Sequence, residues 1–268
     1  KRVSVTGFDA EPIGEGDYYG FTLDRDGRFL LGDFTVTHNS TTITEALRYI
    51  PADKSVLLLA FNTEAKKDLL TKVPKRQGLA VRTLVAQGYA FLREHWSAEY
   101  VSDALANMRD DTVLREAIGD DQIMFGEKEG KKFWKEFADL VGLCQSYLAS
   151  TDAEITFIQN DHGVLVDKRT ESAEAWRAPA GEDRFWRHRD VLRWTKAALA
   201  NQLREPRRKT KTADGDIPFI SFRDMVYVPA MNPDWVPPQL FDFVFVDETQ
   251  DCDVARLSLV RRSVKPGG

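Results

Sequence analysis

The chain has 268 residues, 43% hydrophobic and 29% charged, a globular composition long enough to bury one large core or two modest ones. It excludes a disordered tail, a collagen-like fibre and a disulfide-stapled miniprotein, and no apolar run approaches the roughly 18 residues of a membrane span. The net charge of −5, from 37 basic and 42 acidic side chains, argues against bulk attraction to nucleic acid but leaves room for a local basic groove.

Residues 1–39 carry four basic and seven acidic groups and alternate like short strands, at Lys1–Phe8, Tyr18–Leu23, Phe29–Leu31 and Phe34–Thr37. Asp24-Arg25-Asp26-Gly27 reads as a hairpin turn between two of them. From Ser40 the pattern becomes α/β. Ser40–Ile50 predicts a helix ended by Pro51, Ser55–Phe61 a buried parallel strand, and Thr63–Leu70 a helix. Leu79–Thr83 predicts a second strand, with a helix to about Trp96. Residues 101–200 read as almost wholly helical, with Trp134, Trp176, Trp186 and Trp194 expected mostly in the core. Arg204–Thr212 reads as a basic connector, tracking a DNA backbone or simply solvated, and Ala213–Pro218 as turn-rich. Ser221–Val228 predicts a short helix or turn and Phe241–Val246 another buried strand.

The chain opens on Lys1-Arg2 and stops at Lys265-Pro266-Gly267-Gly268 after a helix-like run, so both ends are expected to be cuts through a larger gene product. No export leader pattern opens it, and Cys144 and Cys252 lie far apart. Reduced structural thiols in a cytoplasmic protein without a membrane span are expected. His95, His162 and His188 show no ligand spacing, so no metal other than Mg²⁺ is expected.

His38-Asn39-Ser40 can carry chemistry. An Asn side-chain amide can attack its own backbone carbonyl, forming a succinimide and breaking the chain. A preceding His can donate a proton there, typically worth about 10²–10⁴-fold, and a following hydroxyl can accept an acyl group. The same tripeptide also suits an ordinary helix N-cap. Its context is Asp17-Tyr18-Tyr19-Gly20-Phe21-Thr22-Leu23, then Arg28-Phe29-Leu30-Leu31-Gly32-Asp33-Phe34-Thr35-Val36-Thr37-His38-Asn39. This closely resembles the C-terminal splicing blocks of inteins. The resemblance implies Asn39 as the cyclising residue, His38 as its helper and Ser40 as the first extein residue and splice nucleophile. Gly20 and Gly27 stand where many inteins carry Asp and His. The N-terminal splicing half is not in the sequence, and is expected as a partner in trans or as a portion lost by truncation.

Phe241-Asp242-Phe243-Val244-Phe245-Val246 ends in Asp247-Glu248. Beyond the carboxyl end of a sheet strand, such a pair can hold Mg²⁺ through water and orient an attacking water, or be a solvated strand end. Asp247-Glu248-Thr249-Gln250-Asp251 resembles the DExQD form of motif II in superfamily 1 helicases of the UvrD/Rep type. Leu57–Ala65 resembles motif Ia, and Val81-Arg82-Thr83-Leu84 with Gly88-Tyr89 resembles motif Ib, Val85 standing where a His is familiar. Ile220–Pro229 also fits this group. The resemblance implies Glu248 as the hydrolytic base, Gln250 as a coupling residue, Asp247 as an Mg²⁺ ligand, and Phe61, Asn62 and Thr83 as single-stranded DNA contacts. By residue type alone, a core role for Phe61 at a strand end is slightly favoured.

A P-loop needs G-x-x-x-x-G-K followed by Ser or Thr, and no such string precedes Ser40. Ser40-Thr41-Thr42-Ile43 opening a helix is nonetheless how that loop ends, with Ser40 and Thr41 at the nucleotide and Ser40 on Mg²⁺. An intein inserted between the P-loop Lys and Ser40 joins the two resemblances. The expected fold is α/β, a parallel-sheet RecA-like P-loop NTPase domain with a helical insertion, preceded by a small all-β Hint-type intein segment. The expected divisions are 1–39, 40–96, the insertion at 97–215, and 216–268. ATP, Mg²⁺ and single-stranded DNA are the implied ligands, and splicing is expected to restore an interrupted helicase. One alternative is a nucleic-acid-binding or scaffold module with a decayed P-loop NTPase core and no splicing. Another is a P-loop NTPase that does not unwind DNA.

Overall fold

The computed structural model describes residues 29–30, 36–37, 39–119, 127–165, 188–212 and 215–267, with side chains from Ile43 onward except at 127–130 and 212. The chain divides into two compact units, Lys1–Asn39 and Ser40–Gly268. In the first, β1 (Phe29–Leu30) pairs antiparallel with β2 (Val36–Thr37), Phe29 opposite Thr37. The strands expected at 1–8 and 18–23 and the turn at 24–27 lie outside the described residues.

The second unit is mixed α/β. Its elements in order are α1 (Asn39–Ala46), β3 (Val56–Ala60), α2 (Thr63–Lys72), β4 (Leu79–Thr83), α3 (Leu84–Arg93) and α4 (Asp103–Ile118). There follow α5 (Glu127–Tyr147), α6 (Asp152–Asp161), α7 (His188–Gln202), β5 (Lys209–Thr212), β6 (Gly215–Pro218), α8 (Phe222–Met231), β7 (Phe243–Val246) and α9 (Val254–Arg261). The helix expected to run to Ile50 leaves α geometry after Ala46 and closes as a 3₁₀ turn over Leu47–Tyr49. Ile50 is extended, as a residue before proline prefers.

Three parallel strands form the sheet in the order β4-β3-β7. The central β3 is buried at all five positions because helices cover both faces. Val56 and Leu58 pack with Leu47 and Ile43 of the α1 segment, and Leu57 and Leu59 with Leu84 and Phe241. The strand expected to be buried at Phe241–Val246 is only partly so. Phe241 is fully buried, but β7 is an edge strand among the described residues, and Phe243 is 37% exposed.

Four helices, α4 to α7, share a second core built on Val113, Phe133, Phe137, Leu140, Val191 and Trp194, and Tyr227 of α8 joins it. Their starts are written locally: Ser102 caps α4, and Thr151 with Glu154 forms a capping box on α6. Trp96 and Trp194 are buried and Trp134 packs against the helical core; Trp176 and Trp186 lie outside the described residues. Cys144 is a buried free thiol, pushed up to about 12 by burial, as suits a structural cysteine.

The basic connector is a correction. Lys209–Thr212 and Gly215–Pro218 pair as an antiparallel hairpin, with Lys209 opposite Pro218 and Lys211 opposite Asp216. The alternation Lys-Thr-Lys-Thr is a period-two pattern with a strand former at every second place, but its charge density resembles a solvated linker. No described helix is long and apolar enough to cross a membrane.

Candidate functional site at the carboxyl edge of the sheet

Parallel register places the carboxyl ends of the three strands side by side. Ala60 lies opposite Thr83 and Leu59 opposite Val246, and the Asp247 N–H donates to the Leu59 carbonyl at 2.9 Å. Phe61, Asn62, Thr83, Asp247 and Glu248 therefore leave the sheet along one edge, although the whole helical core separates β7 in sequence from β3 and β4.

Two of these residues have a structural task. Asn62 caps α2, its Oδ1 accepting the Ala65 N–H at 2.8 Å, and Thr83 caps α3, its Oγ1 accepting the Ala86 N–H at 3.1 Å. Those caps occupy one oxygen each and leave the Asn62 amide nitrogen as a donor. Phe61 is partly buried against the cluster of Leu57, Leu59, Leu84 and Phe241. The Arg256 guanidinium lies 5.5 Å from its ring centroid. Arg256 was not picked out from sequence; its signal is the Asp253-x-x-Arg256 spacing at the start of α9, where Asp253 both caps the helix and pairs with Arg256.

Asp247 is buried, and Glu248 follows it in the left-handed region at φ 56° and ψ 50°. A residue with a Cβ seldom adopts that conformation. It turns the chain off β7 into a short 3₁₀ turn, Thr249–Asp251. The Gln250 amide donates to the Glu248 carboxylate, so the two side chains expected to act together are in contact. Beside this edge a cavity of about 590 Å³ is lined by Val85, Gln145, Arg223, Tyr227, Asp253 and Arg256.

Asn39, Ser40 and Thr41 lie in the first turn of α1, with side chains outside the described set, and His38 is outside the described residues. Among the described residues, no three His, Cys, Asp or Glu side chains converge as a metal cage. His95 stacks on Trp235 at 4.2 Å, and His162 approaches Asp161 at 3.7 Å. Asp247 and Glu248 are adjacent hard oxygen donors, chemistry that suits Mg²⁺ held partly through water. The glycine and lysine donors of a phosphate cradle are absent from the sequence before Ser40. Neither protein-family models nor curated proteins give a match to this chain.

Proposed function

We propose that residues 40–268 are the nucleotide-hydrolysing part of an ATP-dependent DNA helicase, joined at Asn39–Ser40 to an intein segment whose removal completes the nucleotide site. The observation that carries this reading is the convergence of Phe61, Asn62, Thr83, Asp247 and Glu248 on one carboxyl edge of a parallel sheet, where α/β folds bind ligands. The left-handed Glu248 supports it, because such strain gathers where function needs a side chain aimed.

In this reading Asp247 and Ser40 hold Mg²⁺, and Ser40 and Thr41 meet the nucleotide phosphates at the start of α1. Mg-ATP, when bound, supplies the phosphoanhydride to be cleaved. Glu248 accepts the proton of the attacking water, and Gln250 orients that carboxylate through its amide. Asn62 and Thr83, with Phe61, face single-stranded DNA. Cleavage at the junction is a separate reaction. The Asn39 side-chain nitrogen loses a proton as it bonds to the Asn39 carbonyl carbon, the Asn39–Ser40 bond breaks, and Ser40 leaves as a free amine; His38 supplies the amine's proton and is restored by the one Asn39 gives up. In full splicing the Ser40 hydroxyl first accepts the upstream acyl group.

Intact-mass measurement of the purified chain over time tests the junction. A fragment ending in Asn or succinimide at position 39 is expected, and Asn39→Ala should abolish it; an intact chain would sink the splicing half. For the other half, the product joined to a segment ending in Gly-Lys should hydrolyse ATP and be stimulated by single-stranded DNA. Glu248→Gln should lower its kcat by roughly 10²–10⁴-fold. Turnover unaffected by that change would overturn the hydrolytic assignment, and turnover indifferent to DNA would favour an NTPase that does not unwind.

A further inference from the structure

We infer that the β5–β6 hairpin is a second nucleic-acid contact, a ribbon that binds the phosphate backbone, with Phe222 as a stacking platform beyond its base. Arg204, Arg207, Arg208, Lys209 and Lys211 are all exposed, and none forms an ion pair among the described residues. Some other surface cations are paired, as in Arg48–Glu45, Lys72–Asp68, Arg115–Asp111 and Lys196–Asp152. In a chain of net charge −5, five cations within eight residues repel one another, and none has an ion-pair partner among the described residues. The one acid among them, Glu205, accepts the Ser97 N–H at 3.0 Å and forms no ion pair with them.

Pairing gives these charges a direction. Lys209 and Lys211 share one face of β5, about 7 Å apart along the strand, and Asp216 opposite Lys211 is the counter-charge on the described part of the hairpin. The base is fixed, because Glu99 donates its N–H to the Pro218 carbonyl at 2.9 Å and accepts from the Ile220 N–H at 3.1 Å. Immediately past it, Tyr100 and Phe222 bring their rings to 4.9 Å, and Phe222 is 49% exposed. Cations tracking a backbone beside a half-exposed ring are the two elements of single-strand binding. Duplex DNA presents the same phosphates but no free base face.

This extends the DNA-binding part of the function proposed above, yet its test needs neither ATP nor cleavage at Asn39, so the two can fail separately. Fluorescence anisotropy of the full chain with an oligo-dT of about 20 nucleotides, a duplex of about that length, and phosphatidylserine vesicles makes the comparison. Replacing Arg207, Arg208, Lys209 and Lys211 by Ala should weaken binding to both DNAs. It should also lower the slope of log affinity against log salt by about 0.7 per lost single-strand contact. Asp216→Lys should tighten both, a gain that does not come from misfolding. Phe222→Ala should weaken oligo-dT by roughly 5- to 150-fold while sparing duplex. Unchanged affinity in the fourfold variant, no gain with Asp216→Lys, or binding to vesicles alone would overturn the ribbon. Equal losses on both DNAs in Phe222→Ala would overturn the stacking platform.

Discussion

Glu248 and Asp242 bracket the same strand, and their surroundings set opposite tasks. Glu248 occupies a backbone region that costs a residue with a Cβ roughly 1–3 kcal/mol, and its carboxylate accepts from Gln250. Asp242 is held for stability. Its Oδ2 accepts the Ser55 hydroxyl at 2.6 Å, the Ser55 N–H at 2.8 Å and the Lys265 ammonium at 2.9 Å. The Ser55 hydroxyl foremost, with that N–H and Lys265, holds the carboxyl well below the usual carboxylate range. A depressed acid contributes stability above its unfolded pKa, about 3.9, and loses it as pH falls toward the folded value. Thermal unfolding of wild type and Asp242→Asn between about pH 2 and pH 7 should show a gap that narrows below about pH 4. A gap independent of pH would refute the linkage. The carboxylates of Asp247-Glu248 are legible in the sequence; the three donors on Asp242 are not, because Ser55 lies 187 residues away.

At the scale of elements, Gly88 shows how packing reverses a local preference. Within a helix, Ala is favoured over Gly by about 1 kcal/mol. In α3, however, a Cβ at Gly88 would meet the Met225 carbonyl oxygen at 2.1 Å and the Leu259 Cδ1 at 3.0 Å, so α3 and α8 approach to backbone contact there. Gly88→Ala should therefore destabilise by about 1–3 kcal/mol through overpacking, read as a lower midpoint in chemical denaturation; a stabilised variant would show that the helices part freely. Helices and strands of this unit are largely legible because caps and apolar runs are local, as with Ser221 and Asp224 boxing the start of α8. The hairpin is not legible locally, because Lys209 and Lys211 imitate a linker and only pairing with Gly215–Pro218 makes them a strand.

Across the whole Ser40–Gly268 unit, one buried network ties the helical core to the sheet-side helices. The Arg109 guanidinium in α4 donates to Asp224 of α8 at 3.3 Å and to the Arg204 carbonyl at 2.8 Å, and Gln202 of α7 donates to the same carboxylate. Burial raises the Asp224 carboxyl above its ordinary value, against the opposing pull of Arg109. Nearby Asp110, facing Arg223, Ser221, Asp224 and Arg109, is raised by burial too. Such raised acids contribute less stability as pH climbs through their folded pKa, the reverse of Asp242. Asp224→Ala strands Arg109 in the interior, where an unpaired charge costs about 3–5 kcal/mol. Denaturant unfolding should reveal a loss of that size, and a loss below about 1 kcal/mol would mean that water already reaches the pair.

The sequence alone determined the order of the motifs, the acidic pair after an apolar strand, the helical starts and the chemistry available to His38-Asn39-Ser40. Each depends on residues a few positions apart. Tertiary structure decided that β3 is central and β7 an edge among the described strands, and that Arg256 covers Phe61. It also decided that Arg109 finds Asp224 across 115 residues, and that Arg204 through Lys211 flank and enter a paired ribbon. Those outcomes depend on which surfaces meet when the apolar faces are buried together, a choice that no local pattern contains.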